Sequence, residues 1–380
     1  MKKFIIIAHT ASHYYRVAEF FNKKNLLDKI ISIYPKIKLD IYDLPKDKTK
    51  FLFLPFVIFC LRRFLKFKLP NLFYSKIFNL SCRFYIKKKE NNILIGSSGY
   101  CLDSINLAKK KNITTIVDRA CPHINVQKKL ILSELDKLPI INPKKIKAEY
   151  FDNKIVDQML IEYEKCDYIS VPSKYSYDSF KKHNLEKKLI LNQITPEKIL
   201  HIQSFQNEEK SQFKIFSIGF SFVRKGFYYL IEAMDLLKNE NIRLDLRTNI
   251  PDFLDIKQIP SNINIIKKHL TNKELQDYYN KADLIILPSV DEGFGMVGLE
   301  AMCLKKPVLV TENVGMKDII KKYIKNSEDY IINPANINEL SKKIFELSKN
   351  RTKLRHDGEL FFEATKKYLE KDLFKGYTNL

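Results

Sequence analysis

The sequence predicts an α/β protein built from two doubly wound, parallel-sheet domains that face each other across a cleft. Short apolar runs alternate with helix-like stretches, and that alternation argues for parallel strands joined by right-handed crossovers. The alternation occurs in two sets, divided by a polar stretch over 195–212 that holds Pro196 and the charged run NEEKSQ. A length of 380 residues suits two domains.

In the first set, residues 3–8 (KFIIIA) read as a buried strand, followed by a helix-like stretch over 13–22. Residues 92–95 and 114–118 (TTIVD) are further short apolar runs ending in Gly, Ser or Asp. A long charged helical stretch, 145–165, leads into 167–171 (DYISV), and 189–194 closes the set. The second set consists of 213–218 (FKIFSI), 242–246, 263–266, 283–287 and 307–310. Between its first two strands, residues 225–238 place Phe227, Leu230, Ile231, Met234 and Leu237 on one helical face. A final helix is read over 354–373. The expected domains are 1–195 and 213–353, with 196–212 as linker and 354–380 packing back on the first domain. Open α/β sheets bind ligands beyond the carboxyl ends of their strands. A site is therefore expected among the loops 9–13, 96–100, 118–124, 219–226 and 288–296.

Hydrophobic residues make up 45% of the chain, enough for ordinary buried cores. The net charge of +22 favours an anionic partner, although lysine is spread along the whole chain and also reads as a compositional bias. Six cysteines, at 60, 82, 101, 121, 166 and 303, show neither C-x-x-C nor zinc-finger spacing. A reducing compartment fits them. The opening MKKFIIIAHT is too short for a signal-peptide core. The longest apolar run, 51–61, is about half a membrane span. The expectation is a cytoplasmic chain with no spanning helix.

The most informative stretch is 282–310, ADLIILPSVDEGFGMVGLEAMCLKKPVLV. It reads as a strand, a Pro-Ser break, a glycine-rich loop and a helix. Gly293 and Gly295 allow close backbone approach to a ligand. The helix begins near Gly295 or Met296, so its free N–H groups offer a phosphate seat. Glu300, about one turn in, can accept two hydrogen bonds from a vicinal diol such as a ribose. Glu292, in the loop, can accept from sugar hydroxyls. Two glutamates eight apart mean little alone in so charged a chain; their setting carries the signal.

This segment resembles the signature of glycosyltransferase family 4 (glycosyl transferases group 1), retaining enzymes of the GT-B fold, whose motif is E-G-F-G-x-x-x-x-E-A-M. The resemblance implies that Glu292 contacts the transferred sugar and Glu300 holds the donor ribose. It implies that Gly293, Phe294, Gly295 and Met296 line the sugar and phosphate through backbone groups. Residues 217–238, SIGFSFVRKGFYYLIEAMDLLK, resemble the family's strand, glycine, Lys-Gly and amphipathic helix. Lys225 stands where the family's phosphate-binding lysine stands, six residues after Gly219. A lysine at such a turn stabilises a leaving diphosphate as a compact charge. Many members carry arginine directly after the glycine; here that residue is Phe220, and Arg224 is the candidate second cation.

The first half resembles the family more loosely, best over 95–134. There His123, five residues after Asp118, fits a histidine near the reacting sugar. His9 and His13, in a first loop that lacks glycine, are further candidate substrate contacts. Residues 51–89 hold nine Lys or Arg and no Asp or Glu, interleaved with aromatic and aliphatic residues. That pattern suits an anionic membrane surface as well as a buried pair of elements with snorkelling lysines.

The resemblance implies a retaining glycosyltransferase with a nucleotide diphosphate sugar as donor. Its acceptor is expected to be a glycan, a lipid-linked sugar or a cell-surface polysaccharide, held by the first domain. The sequence has no D-x-D pair, so Lys225 and the helix N-terminus are expected to serve where other transferases use a metal, and no cofactor is expected. The expected placement is cytoplasmic, peripheral on the inner face of the membrane. Two alternatives stay open: another GT-B sugar-nucleotide enzyme, an epimerase or hydrolase, and an inactive nucleotide-sugar or nucleic-acid binder. Against the last, no nucleic-acid signature is found.

Overall fold

The computed structural model describes residues 2–9, 13–35, 42–65, 69–87, 92–195, 212–256 and 258–380. The first half opens with β1 (Lys3–Ala8), α1 (Tyr14–Lys23), β2 (Leu27–Ser32) and β3 (Thr49–Phe51). Two consecutive helices follow, α2 (Phe53–Phe64) and α3 (Asn71–Cys82). Then come β4 (Asn92–Ser97), α4 (Leu102–Lys110), β5 (Thr114–Asp118) and α5 (Ile124–Leu135). The half closes with α6 (Pro143–Glu149), α7 (Asn153–Lys165), β6 (Tyr168–Val171), α8 (Lys174–Lys181) and β7 (Leu189–Leu191). The charged stretch read as one helix over 145–165 is thus two. The Asp152 side chain accepts hydrogen bonds from the amides of Lys154 and Ile155, so a new helix starts there.

These strands form one sheet in the order β3-β2-β1-β4-β5-β6-β7, with every pairing parallel. Such strands are buried on both faces, which explains continuous apolar runs such as KFIIIA. The chain winds outward from β1 in one direction and from β4 in the other. The order therefore reverses between β1 and β4, and the first candidate loop lies at that switch point.

The second half repeats the plan. Its elements are β8 (Phe213–Ile218), α9 (Phe227–Leu236), β9 (Ile242–Arg247), β10 (Ile263–Ile266), α10 (Asn272–Lys281), β11 (Leu284–Leu287), α11 (Met296–Cys303), β12 (Val308–Thr311), α12 (Lys317–Tyr323) and β13 (Ile331–Ile332). The sheet order is β10-β9-β8-β11-β12-β13, again all parallel. Here the reversal falls between β8 and β11, whose carboxyl ends carry the loops 219–226 and 288–296. Of the expected linker 196–212, only Gln212 is among the described residues.

The halves are packed together. Ile131, Leu135, Leu138 and Ile194 of the first belong to the same buried apolar cluster as the core of the second. The Ile141 amide donates to the Phe253 carbonyl at 2.8 Å, and the Asp255 amide to the Pro139 carbonyl at 2.8 Å. After α13 (Ile337–Ser348), the long helix α14 (Arg351–Leu369) carries the chain back to the first half. The Tyr368 hydroxyl donates to the Ile194 carbonyl at 2.8 Å. A last turn, α15 (Lys375–Thr378), buries Tyr377 against the first sheet. Its hydroxyl bonds Ser170 Oγ at 2.9 Å and Asp118 Oδ1 at 3.2 Å. Truncating a buried aromatic side chain costs about 3–5 kcal/mol. Tyr377→Ala is therefore expected to lower the unfolding free energy by about that amount, read as a lower urea midpoint at an unchanged slope; an unchanged midpoint would show that this packing is dispensable.

Candidate functional site

The site is built on the two loops at the β8/β11 switch point. After β8 the chain turns through Gly219, whose amide donates to the Arg247 carbonyl at 3.0 Å. Gly226 then starts α9 with φ of +69°. A Cβ there would lie 2.0 Å from the Pro288 carbonyl oxygen, so glycine is needed for the two loops to touch. That contact sets Arg224 and Lys225 against the loop 288–295. The amides of Val290 and Asp291 both donate to the Arg224 carbonyl, at 3.0 and 3.3 Å.

Three predicted residues meet here. Lys225 Nζ lies 2.5 Å and Arg224 Nη1 2.7 Å from the same oxygen of Glu292, Oε2. Arg224 Nη1 also donates to the Asp291 carbonyl at 2.9 Å. Burial on its own would push the Glu292 carboxyl up. The neighbouring Arg224 and Lys225 charges outweigh burial and hold the carboxyl down at about 2. Glu292 is thus a firmly ionised acceptor, and Arg224 and Lys225 form a concentrated positive spot.

Gly295 takes φ of +105° and starts α11, on which Glu300 lies one turn in. Glu300 Oε2 accepts from the Tyr279 hydroxyl at 3.0 Å, which fixes this carboxylate on the helix that follows the loop. Met296 is half-buried at the helix start. The Phe294 ring is buried, 5.9 Å from the Tyr368 ring, so only its backbone faces the loop. The Gly293 carbonyl accepts from Ser173 Oγ at 2.6 Å, across the boundary between the halves. A Cβ on Gly293 would sit 2.0 Å from the Ala120 carbonyl oxygen. At this glycine the backbones of the two halves lie close together.

Several residues at the site escape sequence reasoning. Asp291, fully buried, accepts from Gln127 Nε2 at 2.5 Å and from the Tyr175 hydroxyl at 2.9 Å. Gln127 in turn accepts from buried Arg119 at 2.8 Å. This network ties the first half to the residue preceding Glu292. Arg247, at the end of β9, lies with its guanidinium 4.1 Å over the Phe220 ring. An arginine thus covers the position where the resemblance expects one, supplied from a different strand. Phe220 is itself 68% exposed. Among the described residues, Arg247 Nη1, Thr248 Oγ1 and Ser289 Oγ are buried without a hydrogen-bond partner, all at the carboxyl end of this sheet.

On the first half, His123 is buried at the start of α5. Its Nδ1 accepts from the Asn125 amide at 3.2 Å, which caps the helix. Its ring stacks on His183 at 3.7 Å and packs beside Tyr163 and Phe180. Burial first, then the His183 and Arg119 charges, push it down to about 3, so the ring is neutral. His9 stacks on Tyr100 at 3.9 Å. His13 Nε2 lies 2.6 Å from Asp118 Oδ2 at the carboxyl end of β5. Residues 10–12 of the first candidate loop lie outside the described residues. Among the described residues no group of three His, Cys, Asp or Glu side chains gathers as metal ligands.

Residues 200–359 match the family model for glycosyl transferases group 1. An uncharacterized glycosyltransferase of Methanocaldococcus jannaschii, MJ1607, is 31% identical over 211 residues, covering 49% of this chain and 53% of the relative. The chain thus spans about half the length of that curated relative. A variant of Staphylococcus aureus TarM, solved with Fondaparinux, alpha-GlcNAc-glycerol and UDP, superposes with a TM-score of 0.67 at 14% identity, covering 100% of this chain and 99% of TarM. Anabaena HepE, solved with UDP and glucose, gives 0.65 at 12% identity over 97% and 95% of the two chains. The fold is that of the GT-B proteins.

A carboxyl held down from 4.5 to about 2 contributes stability that is fully present above pH 4.5 and is lost as pH falls toward 2. The contribution is about 3 kcal/mol at neutral pH. The stability gap between wild type and Glu292→Gln should therefore shrink across that acid window. A gap constant from pH 6 to 2 would show that Glu292 is not held by Arg224 and Lys225.

Proposed function

We propose that the protein is a retaining glycosyltransferase that moves a sugar from a nucleotide diphosphate sugar to a glycan, lipid-linked or cell-surface polysaccharide acceptor. The single observation that carries this reading is the convergence of Lys225 and Arg224 on Glu292, beside the start of α11. Two cations at a helix N-terminus suit a diphosphate. The carboxylate they hold suits the hydroxyls of the sugar attached to it. The family match over 200–359 and the fold shared with two UDP-containing structures support the same donor class.

In this reading Lys225 and Arg224 turn from Glu292 toward the incoming diphosphate, and Glu300 takes the ribose hydroxyls. Arg247 and the exposed Phe220 ring border the nucleotide. The bond from the anomeric carbon to the phosphate oxygen breaks, and its electron pair leaves on the diphosphate. The acceptor oxygen bonds the same face of the anomeric carbon, and its proton passes to the leaving phosphate oxygen. Lys225, Arg224 and the α11 amides offset the growing negative charge, so the reading requires no bound metal. Gly293 and Gly295 let the loop backbone approach the sugar, and His123 borders this end of the first half as a neutral, positioned ring.

Each charge-assisted hydrogen bond to the diphosphate contributes roughly 1.5–3 kcal/mol. Losing one such bond that forms only in the transition state slows the reaction by about ten- to 150-fold. Lys225→Ala should cut turnover within that range in a sugar-nucleotide screen while the chain stays folded, although loss of the ion pair with Glu292 lowers its thermal midpoint. Wild-type turnover in that variant would remove Lys225 from the mechanism. Donor consumption that proceeds equally without any acceptor would favour an epimerase or hydrolase.

A further inference from the structure

The helices α2 and α3 present an apolar, cationic outer face that the donor site does not use. Among the described residues, thirteen large hydrophobic side chains are exposed, and seven of them fall between 53 and 84. On α2, Phe53, Leu54, Phe64 and Leu65 are 56–73% exposed, and Pro55 is the only buried residue. Their spacing repeats that of a single helical face. On α3 the division is sharper. Tyr74, Phe78 and Cys82 pack inward, while Phe73, Lys76, Leu80, Arg83, Phe84 and Lys87 are exposed. Those six recur at the spacing of one stripe that runs past the end of the helix.

Charge decides what this face suits. Residues 51–89 contain nine Lys or Arg and no acid. Among the described residues, no carboxylate lies within ion-pair distance of Arg63, Lys76, Arg83 or Lys87. Protein interfaces are depleted of lysine at their centres. Here the cations alternate with phenylalanine and leucine along the same stripe. A lipid surface matches both: aromatic and aliphatic side chains enter the headgroup boundary while lysine and arginine reach the phosphates.

The face also adjoins the cleft. Arg62 lies 5.2 Å over the Tyr74 ring, Tyr74 meets Tyr100 edge-on, and Tyr100 stacks on His9 at the end of β1. We propose that α2 and α3 dock the protein on an anionic bilayer, with Phe64, Leu65, Phe73 and Phe84 entering the headgroup layer and Arg63, Lys76 and Arg83 pairing with lipid phosphates. Docking stands independently of the donor chemistry. Combined with that chemistry, it brings His9, at the end of β1, near a surface from which a lipid-anchored acceptor can enter.

The test is co-sedimentation of the full chain with phosphatidylcholine vesicles, with and without phosphatidylglycerol. Wild type should bind the anionic vesicles at low salt and detach at high salt. Each cation near the surface contributes about 1 kcal/mol, so Arg63→Gln, Lys76→Gln and Arg83→Gln together should weaken binding about a hundredfold. The triple variant Phe64→Ser, Leu65→Ser, Phe84→Ser should bind weakly even at low salt. Thermal midpoints check that both variants are folded, and their donor turnover in lipid-free solution should equal that of wild type. Equal recovery with neutral and anionic vesicles would overturn the proposal, as would unaltered binding by both variants. A lipid-free dimer of wild type that the serine variant dissociates would assign the face to protein contact and overturn it too.

Discussion

The site is organised by one carboxylate shared between two cations. Glu292, Arg224 and Lys225 are largely withdrawn from water, and a buried ion pair is stable only if its geometry is good and its remaining groups are satisfied. The fold meets that demand through contacts that have little to do with the triad itself. Gly226 lets the loop after β8 lie on Pro288. The Arg224 carbonyl receives the Val290 and Asp291 amides, and the Glu292 amide and carbonyl bond Asn313 and Gly315. Each side chain is therefore placed by backbone on both sides, and the charges meet because two loops at one switch point are fastened together.

That arrangement reaches into the other half. Asp291 lies directly before Glu292 and is held by Gln127 and Tyr175, and Gly293 is bonded by Ser173. The loop that carries the carboxylate is thus gripped by α5 and by the segment around α8. The contacts that join the halves are therefore the same contacts that shape the loop. Tyr377 adds a second tie from the far end of the chain, since its hydroxyl reaches Asp118, the partner of His13.

What the sequence made legible was local. Strands β11 (LIIL) and β12 (VLVT) are short, almost wholly Ile, Leu and Val, and the loop 288–296 is spelled out by closely spaced glycines. Strand β2 was hidden because Asp28 and Lys29 follow its first residue and interrupt the apolar run, and β3 because three residues show no periodicity. The links that fasten the site are not local: Gln127 and Asp291 are 164 residues apart. No window of sequence contains both. The same limit applies to Arg247, whose place over Phe220 depends on β8 and β9 lying side by side. His123 shows the converse. Its place was suggested by its position in the sequence, while the helix cap and the stacked partner that hold it, His183, were not.

In the proposed function, Arg224 and Lys225 exchange Glu292 for the diphosphate of a bound nucleotide. Calorimetric titration with UDP and with UMP tests this most directly, because the two ligands differ only in the phosphate these cations would read. The account predicts that wild type prefers UDP by at least about tenfold, equivalent to about 1.4 kcal/mol, and that the preference disappears in Lys225→Ala. Equal affinity of wild type for the two nucleotides, or an unchanged preference in the variant, would contradict it.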